Sequence, residues 1–359
     1  MLRYWDVFFV AMIVAVVLLP IARFLAFRFG LLDYPKAHGI HEHPVPRIGG
    51  VAIYVAFVVG SLYRLDLSEQ LKGVLVGSTI IFAVGLWDDV RRLPAGFKLL
   101  IQLVACGIMM FKYGVILKTF PHGHFINSFF TVLLIIGITN AVNFLDNMDG
   151  LSSGLVAVSS FALFFIAFMT KQPWSAYLAL ALMGASVGFL FFNLKPAYFF
   201  MGDSGSTFLG FTLASLTVMT NWSYEIPVRM AVPVLILGVP IIDMTLITVL
   251  RIKEDKVHTL SEWIDYTGKD HLSHRVMRLG LNKKMTVFVL WGIQALFCLI
   301  AVWTVPQEAH DGVLAMLFFI FVMFGGIVFF RKRRAIALRW NGRTPSGRKN
   351  MKTSGSLRR

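Results

Sequence analysis

Charge is scarce in this 359-residue sequence: Asp, Glu, Lys and Arg make up 15% of it, where a soluble domain carries about 25%. Hydrophobic residues supply 57%, and the mean hydropathy is +0.72. A water-soluble globule is excluded, so length is no guide to the number of soluble domains. Cysteine is scarce as well. Cys106 and Cys298 both lie in apolar runs, where they read as small buried hydrophobes and offer neither a disulfide framework nor a metal framework. No small-residue cleavage site follows the first apolar run, Val7 to Ala26. That run is too long for a signal-peptide core and is expected to stay as a spanning helix.

Acidic residues number 19 against 34 Lys and Arg, a net charge of +15. Such an excess can mark a nucleic-acid binder, but its position argues against nucleic acid here. Much of it lies between Arg331 and Arg359, where a basic run beside a bilayer contacts anionic lipid and fixes topology.

What the sequence has in quantity is apolar runs of spanning length, about 17–25 residues each. Eleven are expected, near 5–27, 48–64, 71–87, 98–112, 127–145, 152–170, 175–193, 205–221, 228–250, 285–304 and 313–330. The fold class is therefore an all-α polytopic membrane protein. With the N-terminus outside and the C-terminus cytoplasmic, the inside segments hold 26 of the 34 Lys and Arg, while the outer loop from Val305 to Gly312 holds none. The positive-inside rule selects that orientation. Residues 1–335 form one membrane domain, and 336–359 a basic tail expected to be disordered.

Every polar cluster then falls in a cytoplasmic segment or at a helix end facing one. Asp88 and Asp89 close the third span. Adjacent carboxylates repel each other unless cations compensate, and Arg91, Arg92, Lys98 or a metal could do so. Solvated ions at a topology-setting helix end would also explain them. Asn140, Asn143, Asp146 and Asp149 recur every three residues, so helical spacing puts them on one strip. Their oxygens suit Mg²⁺ and can bond a uracil or ribose. A helix cap accounts for one such residue, not four in register. In the segment from Asn193 to Ser206, Gly202, Ser204, Gly205 and Ser206 surround Asp203 and open the eighth span. A glycine-rich turn there offers N–H groups to phosphate; an N-cap by Asp203 or Ser204 explains the same residues.

In the loop 28–47, Lys36 and Arg47 are placed to hold phosphate. His38, His41 and His43 lack the thiol or carboxylate spacing of a zinc site. Between residues 251 and 284, His271, His274, Arg275 and Arg278 share a face if helical, suiting a pyrophosphate, or else a solvated amphipathic helix. Asp243 lies inside an apolar span and is a functional candidate by position, with Arg251 the ordinary partner for it.

Carboxylates and amides for a divalent cation, cations and N–H groups for phosphates, and an apolar wall beside both suit a phosphate substrate with a lipid tail. Phosphoryl transfer needs mainly alignment and neutralised charge. A transporter is the rival class, but no interrupted helix or inverted repeat is visible in the sequence. A lipid-binding scaffold leaves the acidic clusters unexplained.

These residues resemble the polyprenyl-phosphate N-acetylhexosamine-1-phosphate transferase family, glycosyltransferase family 4. The resemblance rests on Pro44 to Gly50, Asp88-Asp89, Asn140 to Gly150, Pro196 to Ser206 and Asp270 to Arg275. It implies that residues 1–335 are a transferase domain in a bacterial inner membrane, moving an N-acetylhexosamine 1-phosphate from a UDP-sugar to undecaprenyl phosphate. Asp88, Asp89, Asn143 and Asp203 would surround Mg²⁺, with Mn²⁺ as a substitute. Asp88, Asp89, Asp146, Asp149, His271 and His274 would be catalytic. Arg47, Lys98, Asn140, Asn193, Gly202, Ser204, Asp243 and Arg275 would meet substrate. GlcNAc is the first choice of sugar, on the Pro-Val-Pro-Arg segment; FucNAc, QuiNAc, GalNAc and MurNAc-pentapeptide are the others. Homodimers occur in the family. Asn147-Met148 replaces a common Gly followed by Leu or Ile, and Ser273 a common third His.

Overall fold

The structure is a computed structural model. It describes residues 4–30, 32–33, 45–64, 68–194, 197–255, 257–259, 262, 268 and 270–341. Lys36, the three histidines of the loop 28–47, and the tail from 342 on lie outside these residues. The chain runs α1 (Trp5–Phe29), β1 (Leu32–Asp33), β2 (Val45–Pro46), α2 (Gly49–Leu62), α3 (Glu69–Val90), α4 (Ala95–Tyr113) and α5 (His124–Leu145). It continues as α6 (Leu151–Met169), α7 (Pro173–Asn193), α8 (Gly202–Met219), α9 (Ile226–Ile236) and α10 (Gly238–Lys253). It closes with α11 (Leu272–Met277), α12 (Lys283–Thr304) and α13 (Ala309–Asn341). The first six residues of the expected tail thus continue α13 as helix.

The chain is a helical, multi-pass membrane protein. Among the described residues eight helices are long and apolar enough to cross a bilayer, or nine when α9 and α10 count as one bent span. Each of the eleven expected runs falls on helix, yet two do not reach that standard. α2 is 14 residues long. α8 opens on the polar Gly-Asp-Ser-Gly-Ser, and its residues from Ser204 to Val218 are all buried. A helix sheathed in protein needs no lipid-compatible surface, so serine, threonine and glycine are tolerated along it. Around it stand α3 and α5, while α6 and α7 are also mostly buried. α13 is the opposite case: Phe321 is 75% exposed and Phe324 61%, an apolar face suited to lipid. Small residues set the closest approaches. A Cβ on Gly184 of α7 would collide with the Phe8 carbonyl of α1, and one on Gly188 with that of Met12.

The ninth expected span is broken, which the sequence pattern did not reveal. α9 and α10 meet at 79°, with Pro233, Gly238 and Pro240 around the bend. Such a break strands backbone groups in an apolar interior, where each must find a partner. Gln294 of α12 supplies them. Its Oε1 accepts from the Val239 N–H at 2.9 Å, and its Nε2 donates to the Ile236 carbonyl at 2.7 Å. Ser159 of α6 donates to the same carbonyl at 2.8 Å. Gln294→Leu keeps the volume and removes both bonds, so it is expected to destabilise the protein by about 1–3 kcal/mol. The check is thermal unfolding in detergent: an unchanged Tm would mean that Gln294 does not hold the bend.

Candidate active site

The site forms at one end of the bundle, where helix termini from distant parts of the chain meet. Asp88 and Asp89 end α3, and one residue of helical rotation turns them to different tasks. Asp89 caps α8. Its Oδ1 accepts from the Asp203 N–H at 2.8 Å, and its Oδ2 from the Ser204 N–H at 3.0 Å and the Ser204 hydroxyl at 2.6 Å. The cap comes from another helix, not from Asp203 or Ser204 as the sequence suggested. Two α8 N–H groups expected to receive phosphate are therefore already taken by a carboxylate. Gly202 makes this fit possible: its φ is +70°, and a Cβ there would strike the Asp89 carboxylate. Gly85 is equally constrained, because a Cβ would meet the Ser204 backbone. Gly202 and Ser204 thus hold the site together from beneath.

Asp88 faces the other way. Its Oδ1 accepts from the Leu93 N–H at 2.6 Å, and its Oδ2 lies 3.0 Å from the Lys98 ammonium. Lys98, in the first turn of α4, also reaches Asp203 Oδ2 at 2.9 Å. One cation therefore joins two carboxylates that lie 115 positions apart in the chain.

The strip of amides and acids on α5 is only half helical. Asn140 and Asn143 lie on the helix. Asp146 is its C-cap, and Asp149 sits on the turn beyond. Asn140 does not point at the carboxylates; its Nδ2 donates to Gln102 of α4 and to the Ile136 carbonyl, both at 2.8 Å. Gln102, a buried amide in an apolar helix, was overlooked in the sequence. Asn143 does join the site, through Ser206 of α8, whose hydroxyl donates to its Oδ1 at 2.7 Å. Asp146 is half-buried beside Asp203, Asp149 and Asp89. Burial, then those three charges, hold its carboxyl well above the usual carboxylate range, while Arg47 opposes them. Asn193 is buried with its amide committed: Oδ1 takes the Gly150 N–H and Nδ2 donates to the Phe199 carbonyl, both at 2.8 Å. It was expected at the substrate. These bonds tie the acidic turn to the strand of chain before α8.

That strand also places Arg47. The Phe200 N–H donates to the Pro46 carbonyl at 2.9 Å, and the Gly49 and Gly50 N–H groups donate to Phe200 and Met201 at 3.1 and 3.0 Å. β1 and β2 pair antiparallel, Leu32 with Pro46 and Asp33 with Val45. Arg47 is thereby docked beside Gly202, where a Cβ would strike the Arg47 carbonyl.

The histidine segment is held from below. Asp243, fully buried on α10, pairs with His271 Nδ1 at 2.9 Å and accepts the Leu272 N–H. Arg251, its expected partner, binds Asp270 instead in a two-pronged pair of 2.9 and 2.8 Å. Arg275 Nε donates to the Asp270 carbonyl at 2.6 Å, and the residue is buried. Asp243 and Arg275, expected to meet substrate, both bond to the histidine segment. A carboxylate only accepts, so a neutral His271 carries its proton on Nδ1 and has Nε2 as its acceptor. His274 is half-buried on α11, one residue past Ser273.

Lys98, Asp88, Asp89, Asp203, Asn143 and Asp146 thus converge, with Arg47 beside them. Among the described residues no three His, Cys, Asp or Glu side chains make a ready cage for a cation. Mg²⁺ can be held by one or two carboxylates plus substrate phosphates and water. Asp88 and Asp203 already share one cation, the Lys98 ammonium, and their oxygens fit such an ion. An apolar cavity of about 380 Å³ runs between α5, α9 and α10, from Arg229 and Asn127 to Met244 and to Ala141, two positions before Asn143.

Residues 71–221 match the model of glycosyl transferase family 4. A Bacillus subtilis strain 168 protein named a probable undecaprenyl-phosphate N-acetylglucosaminyl 1-phosphate transferase is 32% identical over 337 residues, 91% of this chain and 92% of its own. The decaprenyl-phosphate N-acetylglucosaminephosphotransferase of Mycolicibacterium smegmatis is 29% identical, covering 75% of this chain and 74% of its own. The phospho-N-acetylmuramoyl-pentapeptide-transferase of Caldicellulosiruptor bescii is 26% identical, covering 82% and 93%. The first of these alignments runs nearly end to end, and the matched region contains α3, α5 and the start of α8, which carry the clustered carboxylates. The chain belongs to glycosyl transferase family 4.

Proposed function

We propose that this protein transfers N-acetylhexosamine 1-phosphate, with GlcNAc the first candidate, from a UDP-sugar to undecaprenyl phosphate and releases UMP. The observation that carries the reading is a cluster of carboxylates and cations at the end of α5, a helix whose preceding turns line an apolar cavity. Fifteen residues of α5, from Asn127 to Ala141, run along that cavity, about 20 Å of helix. A polyprenyl chain lying there would bring its phosphate to Asn143 and Asp146. The names of the relatives support the acceptor class and the phosphosugar donor.

In this reaction an oxygen of the lipid phosphate attacks the sugar-bearing phosphorus in line. The bond from that phosphorus to the UMP oxygen breaks, and UMP leaves with the electron pair. Mg²⁺ bound at Asp88 and Asp203 would supply charge neutralisation at the pyrophosphate. Lys98 and Arg47 add fixed positive charge. Asp146, with its raised proton affinity, suits a proton still carried by the lipid phosphate. His271 Nε2 faces the donor. Both Asp89 oxygens are occupied by α8 donors, which argues against a phosphoryl intermediate on Asp89. Eleven spans with the N-terminus outside would put the site in the cytoplasm of a bacterium, with 26 of the 34 Lys and Arg on that side.

The break between α9 and α10 is a feature that transporters share. Here it is capped by Gln294 and Ser159, and the ionisable cluster lies at the bundle end. One assay decides: purified protein, radiolabelled UDP-HexNAc donors, undecaprenyl phosphate and Mg²⁺, with and without EDTA. The expected result is a lipid-linked product that EDTA abolishes and Mg²⁺ or Mn²⁺ restores. Absence of product from every UDP-HexNAc would end the enzyme reading; a product indifferent to EDTA would end the metal reading.

A further inference from the structure

Two side chains beside the site take no part in the chemistry above, yet they bond to each other across the chain. The hydroxyl of Ser273, which is fully buried, donates to Asn147 Oδ1 at 2.8 Å. The other end of the Asn147 amide is fixed too, its Nδ2 donating to the Phe144 carbonyl at 2.8 Å. An amide held at its donor end presents its oxygen in one direction. Asn147 directly follows Asp146, and Ser273 lies between His271 and His274. One hydrogen bond therefore joins the turn that carries both acids to the segment that carries both imidazoles.

A second contact runs beside it. The Phe144 ring meets the His271 ring with centroids 5.7 Å apart and planes inclined at 44°. Phe144, Asn147, Ser273 and His271 so form a closed loop across the two segments. A single link would let one segment swivel on the other; two links fix orientation as well as distance. The fixing matters because the segments are anchored to different bodies. Asn193 of α7 holds the acidic turn, whereas Asp243 and Arg251 of α10, beyond the broken bend, hold the histidines.

We propose that Asn147 and Ser273 are positioning residues: their hydrogen bond sets the spacing between the carboxylate turn and the histidine segment. The inference rests on the transfer reading for its kinetic consequence, though not for the joint itself. Misplacement of reacting groups by about 1 Å costs up to about 100-fold in rate. Asn147→Ala and Ser273→Ala are each expected to lower kcat by about 10-fold or more, with the KM for undecaprenyl phosphate unchanged. The double variant should be no slower than the slower single, since both remove one interaction. Ser273→Thr keeps the hydroxyl and should keep most of the rate. Amide hydrogen exchange over residues 271–277 should rise in Asn147→Ala, a change 126 positions away in the chain.

Losses that multiply in the double variant, or exchange over 271–277 that does not respond to Asn147→Ala, overturn the joint. Falls in kcat that only track lowered Tm overturn the positioning role. If the wild-type protein makes no product from any UDP-HexNAc, the transfer reading fails on its own, and the exchange experiment still decides whether the joint exists.

Discussion

Asp203→Ala is expected to cut lipid-linked product formation by about 10³-fold, because it removes charge aimed at the reacting pyrophosphate. The structure separates this loss from simple unfolding. The Asp203 carboxylate is held at the site by Lys98, through a partly exposed ion pair, with Asp88 beside it. Such pairs contribute about 0–1 kcal/mol to stability. The backbone N–H of residue 203 still reaches Asp89 in the variant, so the α8 cap survives. Tm should move little while turnover disappears. Asp89→Ala should behave differently: it strands two α8 N–H groups and the Ser204 hydroxyl, and each lost partner of this kind costs about 1–3 kcal/mol. Measuring turnover and Tm for both variants tells the two roles apart. Retained turnover in Asp203→Ala would sink its assignment to the cation, and an unchanged Tm in Asp89→Ala would sink the cap.

That contrast marks what could be read from the sequence. The positions of the spans were legible because apolar runs of the right length have few alternatives. So was the one-sided grouping of acids and cations, since charge cannot lie scattered through lipid. The division of labour within Asp88-Asp89 was not legible. Which carboxylate meets α8 depends on helix rotation and on Gly85 and Gly202 permitting close approach. The period of three from Asn140 to Asp149 suggested a single strip, but the helix stops at Leu145 and the last two acids ride on a turn. Sequence spacing also favoured Arg251 for Asp243, two helical turns away, whereas tertiary packing supplied His271 and gave Arg251 to Asp270. The bend at Leu237 was hidden because its stranded backbone groups are satisfied by Gln294, 55 residues beyond Val239. Asn147 and Ser273 stood out as departures from the family pattern; that the two departures touch each other needed the fold.

Asp243→Asn tests the least expected of these partnerships. Asp243 Oδ1 accepts the Leu272 N–H, and Oδ2 takes the His271 Nδ1–H. An asparagine must keep its oxygen on the Leu272 N–H, because its NH₂ would otherwise face another donor. The NH₂ is then turned toward His271 Nδ1 and demands an acceptor there. The imidazole answers by moving its proton to Nε2, the atom proposed above to face the donor substrate. The ring stays in place while its second nitrogen changes from acceptor to donor. A positioned imidazole contributes about 10²- to 10⁴-fold to a proton-coupled step, so kcat should fall by about 10²-fold or more if Nε2 must accept. The fold should hold, since the hydrogen bonds are kept in number. Nitrogen-15 spectra of the histidine side chains would report the tautomer directly. A switched tautomer with full activity would show that His271 acts only as a structural strut under Ser273 and Phe144; a switched tautomer with collapsed kcat and an unchanged KM for undecaprenyl phosphate would place Nε2 in the reaction.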